Sequence, residues 1–124
     1  MAKDKKVEPV HIRVEPLEKA FERFEAAWES AAMGGEQSFG TCISFENFTA
    51  LLAVLTPKRM TLLQTLRQKG PMSIRALAKS LSRDYKNVHA DVKALEAAGL
   101  LEQNQDGKIF VPWDEIDARL SLVA

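Results

Sequence analysis

Between positions 56 and 99 the chain carries a run of helix starts and stops that leaves few foldings open. Thr56-Pro57 opens a helix, because Thr can accept from free first-turn amides and proline costs nothing at the first helical position. Gly70-Pro71 closes it, since glycine tolerates a left-handed cap and proline cannot continue. Ser73 caps the next segment, and Ser82-Arg83-Asp84 is a tight polar turn with further capping residues. Gly99 is the final stop. Within these limits the apolar residues recur at helical spacing. Met60, Leu63 and Leu66, with Leu62, mark the first helix. Ile74, Leu77, Ala78 and Leu81 mark the second, and Val88, Val92 and Leu95 the third.

The flanks are read the same way. Val10, Ile12 and Val14 alternate with His11, Arg13 and Glu15, as in a short strand. Leu17, Ala20, Phe21, Phe24, Ala27, Trp28 and Ala31 form one stripe on a helix that Gly34-Gly35 ends. The stripe is expected to lie in a core or a dimer seam; docking of another protein is the other reading. Ser44 is expected to cap a helix whose buried side is Phe45, Phe48, Leu51, Leu52 and Leu55. Leu100 to Gln103 and Lys108 to Val111 read as two strands around Asn104-Gln105-Asp106-Gly107, Asp-Gly being a hairpin turn signal because both residues tolerate positive φ. Residues 114–123 fit a strand or a short helix. A strand is preferred, because it could pair with the alternating segment near the start.

With 124 residues the chain suits one modest core. It has no apolar run long enough to cross a bilayer and no leader-like start. The single cysteine, Cys42, fits a reducing cytoplasm. Two histidines and one cysteine, scattered, make no metal cluster. No nucleophile motif or phosphate-cradling loop is found, so an enzyme is not expected and no cofactor is implied.

The net charge of zero hides an asymmetry. Residues 56–99 carry nine cations against three acids, net +6, while every other segment is acidic. Such a block points to a polyanionic partner more than the total does. On the third helix, Lys86, Ala90, Lys93 and Ala97 fall opposite the apolar stripe, with Asn87 and His89 beside them. Cations pair with phosphates or guanine, and an amide can address adenine.

The stretch GPMSIRALAKSLSRDYKNVHADVKALEAAGLLEQNQDGKIFV resembles the winged helix-turn-helix of prokaryotic MarR- and ArsR-type regulators. Matching residues are Gly70-Pro71, Ser73-Ile74, Leu77-Ala78, Leu81, Val88, Val92, Leu95-Glu96, Ala98-Gly99-Leu100 and Gly107. The wider stretch from Leu55 to Leu101 is similar to small predicted regulators often encoded beside toxin-like proteins and assigned as antitoxins. The winged-helix match covers residues 56–112, and the narrower one reaches back to Phe45.

The resemblance implies a mainly α fold with a small β-wing and a winged helix-turn-helix over residues 44–112. Residues 1–43 would be a strand-and-helix extension for dimer or partner contact, and 113–124 a C-terminal strand or short helix. It implies a dimeric repressor on a palindromic operator, with residues 85–98 in the major groove and the 101–111 hairpin beside it. Candidate DNA contacts are Ser73, Arg75, Lys79, Arg83, Tyr85, Lys86, Asn87, His89, Lys93 and Lys108. For Ser73 a capping role is the stronger reading, and for Arg83 an ion pair with Asp84 is the alternative. Tyr85 and Asn87 could instead serve packing or capping, and His89 could be a partly buried residue bonded to a neighbouring loop. Phe21, Phe24 and Trp28 are candidate dimer or partner contacts, a cognate toxin being one partner. The paired-cysteine metal site of ArsR-type sensors is absent, so metal sensing is not expected. The hairpin tip, with Asp106 and only Lys108 as a base, argues against a strong wing contact.

Overall fold

The computed structural model describes residues 8–32 and 41–122. The stop at Gly34-Gly35 lies outside them. Strand β1 (Pro9–Val14) is followed by helix α1 (Leu17–Ala32) and strand β2 (Cys42–Phe45). Four helices come next: α2 (Phe48–Val54), α3 (Pro57–Lys69), α4 (Ile74–Leu81) and α5 (Tyr85–Ala97). The two-residue strands β3 (Glu102–Gln103) and β4 (Ile109–Phe110) precede β5 (Glu115–Leu120). The architecture is mixed α/β, with a parallel sheet ordered β2-β1-β5 and an antiparallel β3-β4 pair. Among the described residues no helix is long and apolar enough to cross a membrane.

The helix boundaries follow the capping residues. Thr56, Ser73 and Asp84 each accept from the amide three residues on, at Arg59, Ala76 and Asn87. Gly70 and Gly99 take the positive φ that the chain reversals after α3 and α5 require. Ser82 adopts the same left-handed region at φ 53°, which makes the α4–α5 turn tight.

One core runs through the molecule. Leu62, Leu63 and Leu66 from α3, Leu77 and Ala78 from α4, and Val88, Val92 and Leu95 from α5 are buried in it. Leu100, Leu101, Ile109 and Val111, from the segment after α5, complete it. Val10 and Ile12 of β1 belong to the same cluster and are fully buried. Strand β1 thus contributes to this core. Strand β2 runs across the boundary drawn at 43/44. Its pairing to β1, together with that of β5, joins both flanks in one sheet.

Two local expectations are corrected. Ser44 lies in β2 opposite Arg13 and does not cap a helix; Asn47 caps α2 instead, accepting from Ala50. Phe48 and Leu52, expected on the buried side, are exposed. The hairpin turns through Asn104-Gln105-Asp106-Gly107, and within it Gly107 takes the positive φ. Asn104 organises it: Oδ1 accepts from the amides of Asp106 (2.9 Å) and Lys108 (3.0 Å). Met72 bridges Ile109 with two backbone hydrogen bonds, so the segment before α4 pairs alongside β4. The C-terminal segment is the strand β5, paired to β1 over six residue positions.

A half-buried ion-pair network joins the helices. Asp91, on α5 between Val88 and Val92, has a side chain only 16% exposed. It accepts from Arg59 Nε of α3 (3.0 Å) and from Arg83 of the turn (2.8 Å). Arg59 also donates to the carbonyls of Ala53 and Val54 at the end of α2, both at 3.1 Å. Burial alone would raise the Asp91 carboxyl, but the hydrogen bonds and charges of Arg83 and Arg59 outweigh it. They hold the carboxyl below its usual range. A depressed folded pKa stabilises above the unfolded value of ~3.9, and that share is lost as pH falls through the folded pKa. Asp91→Asn should cost about 2 kcal/mol in urea titrations at pH 7, because two arginines lose their charged acceptor. The difference from the unsubstituted chain should close as pH is lowered through ~4 and below.

Candidate nucleic-acid interface

Helix α5 is amphipathic in a form that leaves one whole side to solvent. Val88, Val92 and Leu95 are fully buried. Lys86, Asn87, Ala90, Lys93 and Ala97 are all exposed on the other side. The burial of three branched side chains fixes the roll of the helix about its axis, so the direction of the polar side follows from the core. Ala90 between the two lysines and Ala97 beyond them keep the helix surface low, which permits close approach to a flat or grooved partner.

Arg75, Tyr85 and His89 are brought together across α4 and α5. The Arg75 guanidinium lies over the Tyr85 ring, 4.9 Å from its centroid. The His89 ring is 5.8 Å from that of Tyr85, tilted by 39°. Tyr85, at 41% exposure, is thus a platform on which Arg75 is held. His89 is half-buried against that ring.

Three of the nine cations of residues 56–99 are arginines held by an aspartate. Arg59 and Arg83 are tied to Asp91, and Arg67 is paired with Asp114. Arg83 therefore pairs with Asp91 rather than Asp84, and its guanidinium is half-buried. Among the described residues Lys79 and Lys86 form no ion pair, and Lys93 meets Glu96 only at 3.5 Å. Ser73 is exposed at the start of α4, where its hydroxyl accepts from Ala76. Lys108 is exposed on the hairpin. The cations available to a ligand on the two consecutive helices α4 and α5 are thus Arg75, Lys79, Lys86 and Lys93.

Phe21, Phe24 and Trp28 are not core residues of the single chain. They are 59%, 65% and 69% exposed. Ala20, Arg23 and Ala27 on the adjoining side are more sheltered. Arg23 anchors α1 to the sheet, donating to Glu15 and to Cys42 Sγ and Ser44 Oγ of β2, the last two at 3.3 Å. A stripe drawn from apolar spacing could not separate the small residues beside the sheet from the aromatic ones beyond it.

Two structural features were not singled out in the sequence. Asp91 is an acid placed among the core positions of α5, and such a group requires a cation opposite it. Strand β2 carries its own signal, since Ile43 and Phe45 alternate in burial with Cys42 and Ser44.

The chain belongs to the HVO_A0114 family, whose model matches residues 54–118. The match spans α3 to α5, the hairpin and most of β5. No curated protein and no solved structure matches the chain.

Because Lys86 and Lys93 are exposed, replacing either by alanine should leave the fold within about 0.5 kcal/mol of the parent. Thermal melts would check this. Agreement allows weaker ligand binding in these variants to be assigned to the missing ammonium group rather than to a damaged fold.

Proposed function

We propose that this member of the HVO_A0114 family is a winged helix-turn-helix protein that binds double-stranded DNA as a dimer and represses transcription from a palindromic operator. What supports the reading is the exposed side of α5, where Lys86, Asn87 and Lys93 stand opposite a fully buried apolar stripe. A short helix, a tight left-handed turn and a second helix precede a β-hairpin, the order a winged helix uses. In this reading α4 supports α5, and α5 enters the major groove. Arg75, Lys79, Lys86 and Lys93 hold phosphates, which sets position but not sequence. Asn87 and Tyr85, near the start of α5, read base edges, with His89 behind them. Arg83 acts through the turn it braces, and Ser73 through its cap. The hairpin contributes little charge beyond Lys108.

The reading makes a quantitative claim about salt. With ~3–4 phosphates neutralised per protomer, log affinity should fall with log salt with a slope near −6. Fluorescence titrations of a labelled duplex measure this, and a flat response contradicts the reading. Lys86→Ala should weaken operator and random duplexes alike and make the slope shallower by about one for each phosphate no longer neutralised. Asn87→Ala should instead narrow the difference between operator and random DNA, by about 1–3 kcal/mol if the amide is bidentate on adenine. Selection from random duplexes supplies the operator for that comparison and tests its dyad symmetry.

A second reading is favoured by α1. Four large apolar side chains, Leu17, Phe21, Phe24 and Trp28, are exposed on one side of one helix, and such a patch marks a protein-binding surface. Under this reading the chain masks a partner protein, such as a cognate toxin, through α1, and DNA binding is secondary or absent. The combined change Phe24→Ala and Trp28→Ala should abolish co-purification with that partner while leaving the salt-dependent DNA titration unchanged.

A further inference from the structure

We infer that the outer edge of β5 is a self-complementary seam, and that two copies of this chain pair antiparallel along it to make one continuous six-stranded sheet.

The edge is open in the single chain. In the order β2-β1-β5, β5 has β1 on one side and no strand on the other among the described residues. It is six residues long, and five of the six side chains are exposed. An uncovered edge of that length presents unpaired backbone groups and is a template for another strand.

The sequence of the edge selects the occupant. Place a two-fold axis at Ala118, perpendicular to the sheet. Asp117 then lies opposite the partner's Arg119, and Arg119 opposite the partner's Asp117. Ile116 lies opposite the partner's Leu120 on the other face, and the reverse holds by symmetry. Opposite charges and matched apolar side chains thus meet directly across the strands, where cross-strand pairs interact most strongly. The neighbouring registers fail on charge. With the axis at Asp117, that carboxylate faces its own copy; with the axis at Arg119, two guanidinium groups face each other. The alternation of the strand forbids intermediate shifts that would exchange the two faces.

Two features of the single chain fit this seam. Arg119 sits beside Arg13 of β1 in the parallel register, a like-charge neighbour, and forms no ion pair among the described residues. The partner's Asp117 would supply the missing anion. Asp117 meets His11 Nδ1 through Oδ2, at 3.1 Å, which leaves Oδ1 for the partner's Arg119. Leu120, 43% exposed in the single chain, would be covered by the partner's Ile116.

The seam supplies the dimer that the DNA-binding reading requires. It rests on that reading for its purpose, but it is measured without DNA. Sedimentation equilibrium of the full chain should show a dimer. Asp117→Lys and Arg119→Glu should each weaken it roughly ten-fold or more, because two attractive pairs become repulsive ones. The double exchange should restore most of the affinity. It lacks the native His11 contact, so its recovery reports the cross-dyad pairs. In a Cys42→Ser background, Ala118→Cys should oxidise to a covalent dimer, since directly opposed residues in antiparallel strands come within disulfide reach. Leu122→Cys, displaced along the strands from its own copy, should not.

A chain monomeric at about 100 μM overturns the inference, as does a dimer indifferent to both charge reversals. So does a dimer that Trp28→Ala dissolves while the double exchange changes nothing. If the reversals dissolve the dimer but the chain binds no duplex at low salt, the seam stands and the DNA-binding reading falls. If duplex binding is strong and dimeric yet insensitive to both reversals, the seam falls and that reading stands.

Discussion

The carboxylate of Asp91 is the point on which the geometry of this molecule turns. It sits on the core side of α5, where an unpaired charge would be expensive, and it is gripped from two directions. Arg83 reaches it from the turn that begins the helix, and Arg59 reaches it from α3. Because Arg59 also satisfies two carbonyls at the end of α2, one acid sets the relation of three helices and a turn. Such a network contributes modestly to stability, and both arginines depend on the same acceptor. If α5 rolled or slid by one residue, two guanidinium groups and a carboxylate would lose their partners together.

That constraint explains how a helix with much of its surface in water keeps a defined orientation. Valines and a leucine hold α5 from behind, and the ion pairs stop it from turning. The exposed lysines and Asn87 therefore project from a helix buried along its other side, with Arg75 lying over the Tyr85 ring. A preorganised surface loses less freedom on meeting a ligand than a mobile one. The basic block in the sequence consequently has two physical roles. Some of its arginines hold the protein together, and the remaining cations face outward.

The helical part of the fold was legible because its boundaries depend on local chemistry. Thr56-Pro57, Ser73, Asp84, Gly70 and Gly99 act within a turn of where they stand, so a window of a few residues contains the information. The parallel sheet was harder to read. Strand β2 is four residues long, and its pairing with β1 is contributed by a segment far along the chain. Ser44 looked like a cap because serine serves equally in a strand, and only the partner strand decides. Within the candidate site, the outward direction of Lys86, Asn87 and Lys93 followed from helical periodicity alone. The division of arginines into paired and available ones did not, because ion pairing depends on which helices become neighbours. The aromatic residues of α1 illustrate the same limit: spacing places them on one helix side but does not say whether anything lies against it.

The central strand of the sheet is also the first one made. Val10 and Ile12 are fully buried, yet β1 is flanked in the sheet by segments that begin at residues 42 and 115. The edge of β1 that faces β5 is paired only by residues 115–120, the last strand along the chain among the described residues. Sheet completion thus couples two distant stretches of the polypeptide. Without β5 the sheet would end at β1, and the cluster that holds Val10 and Ile12 would lose the Ile116 side chain that packs against it.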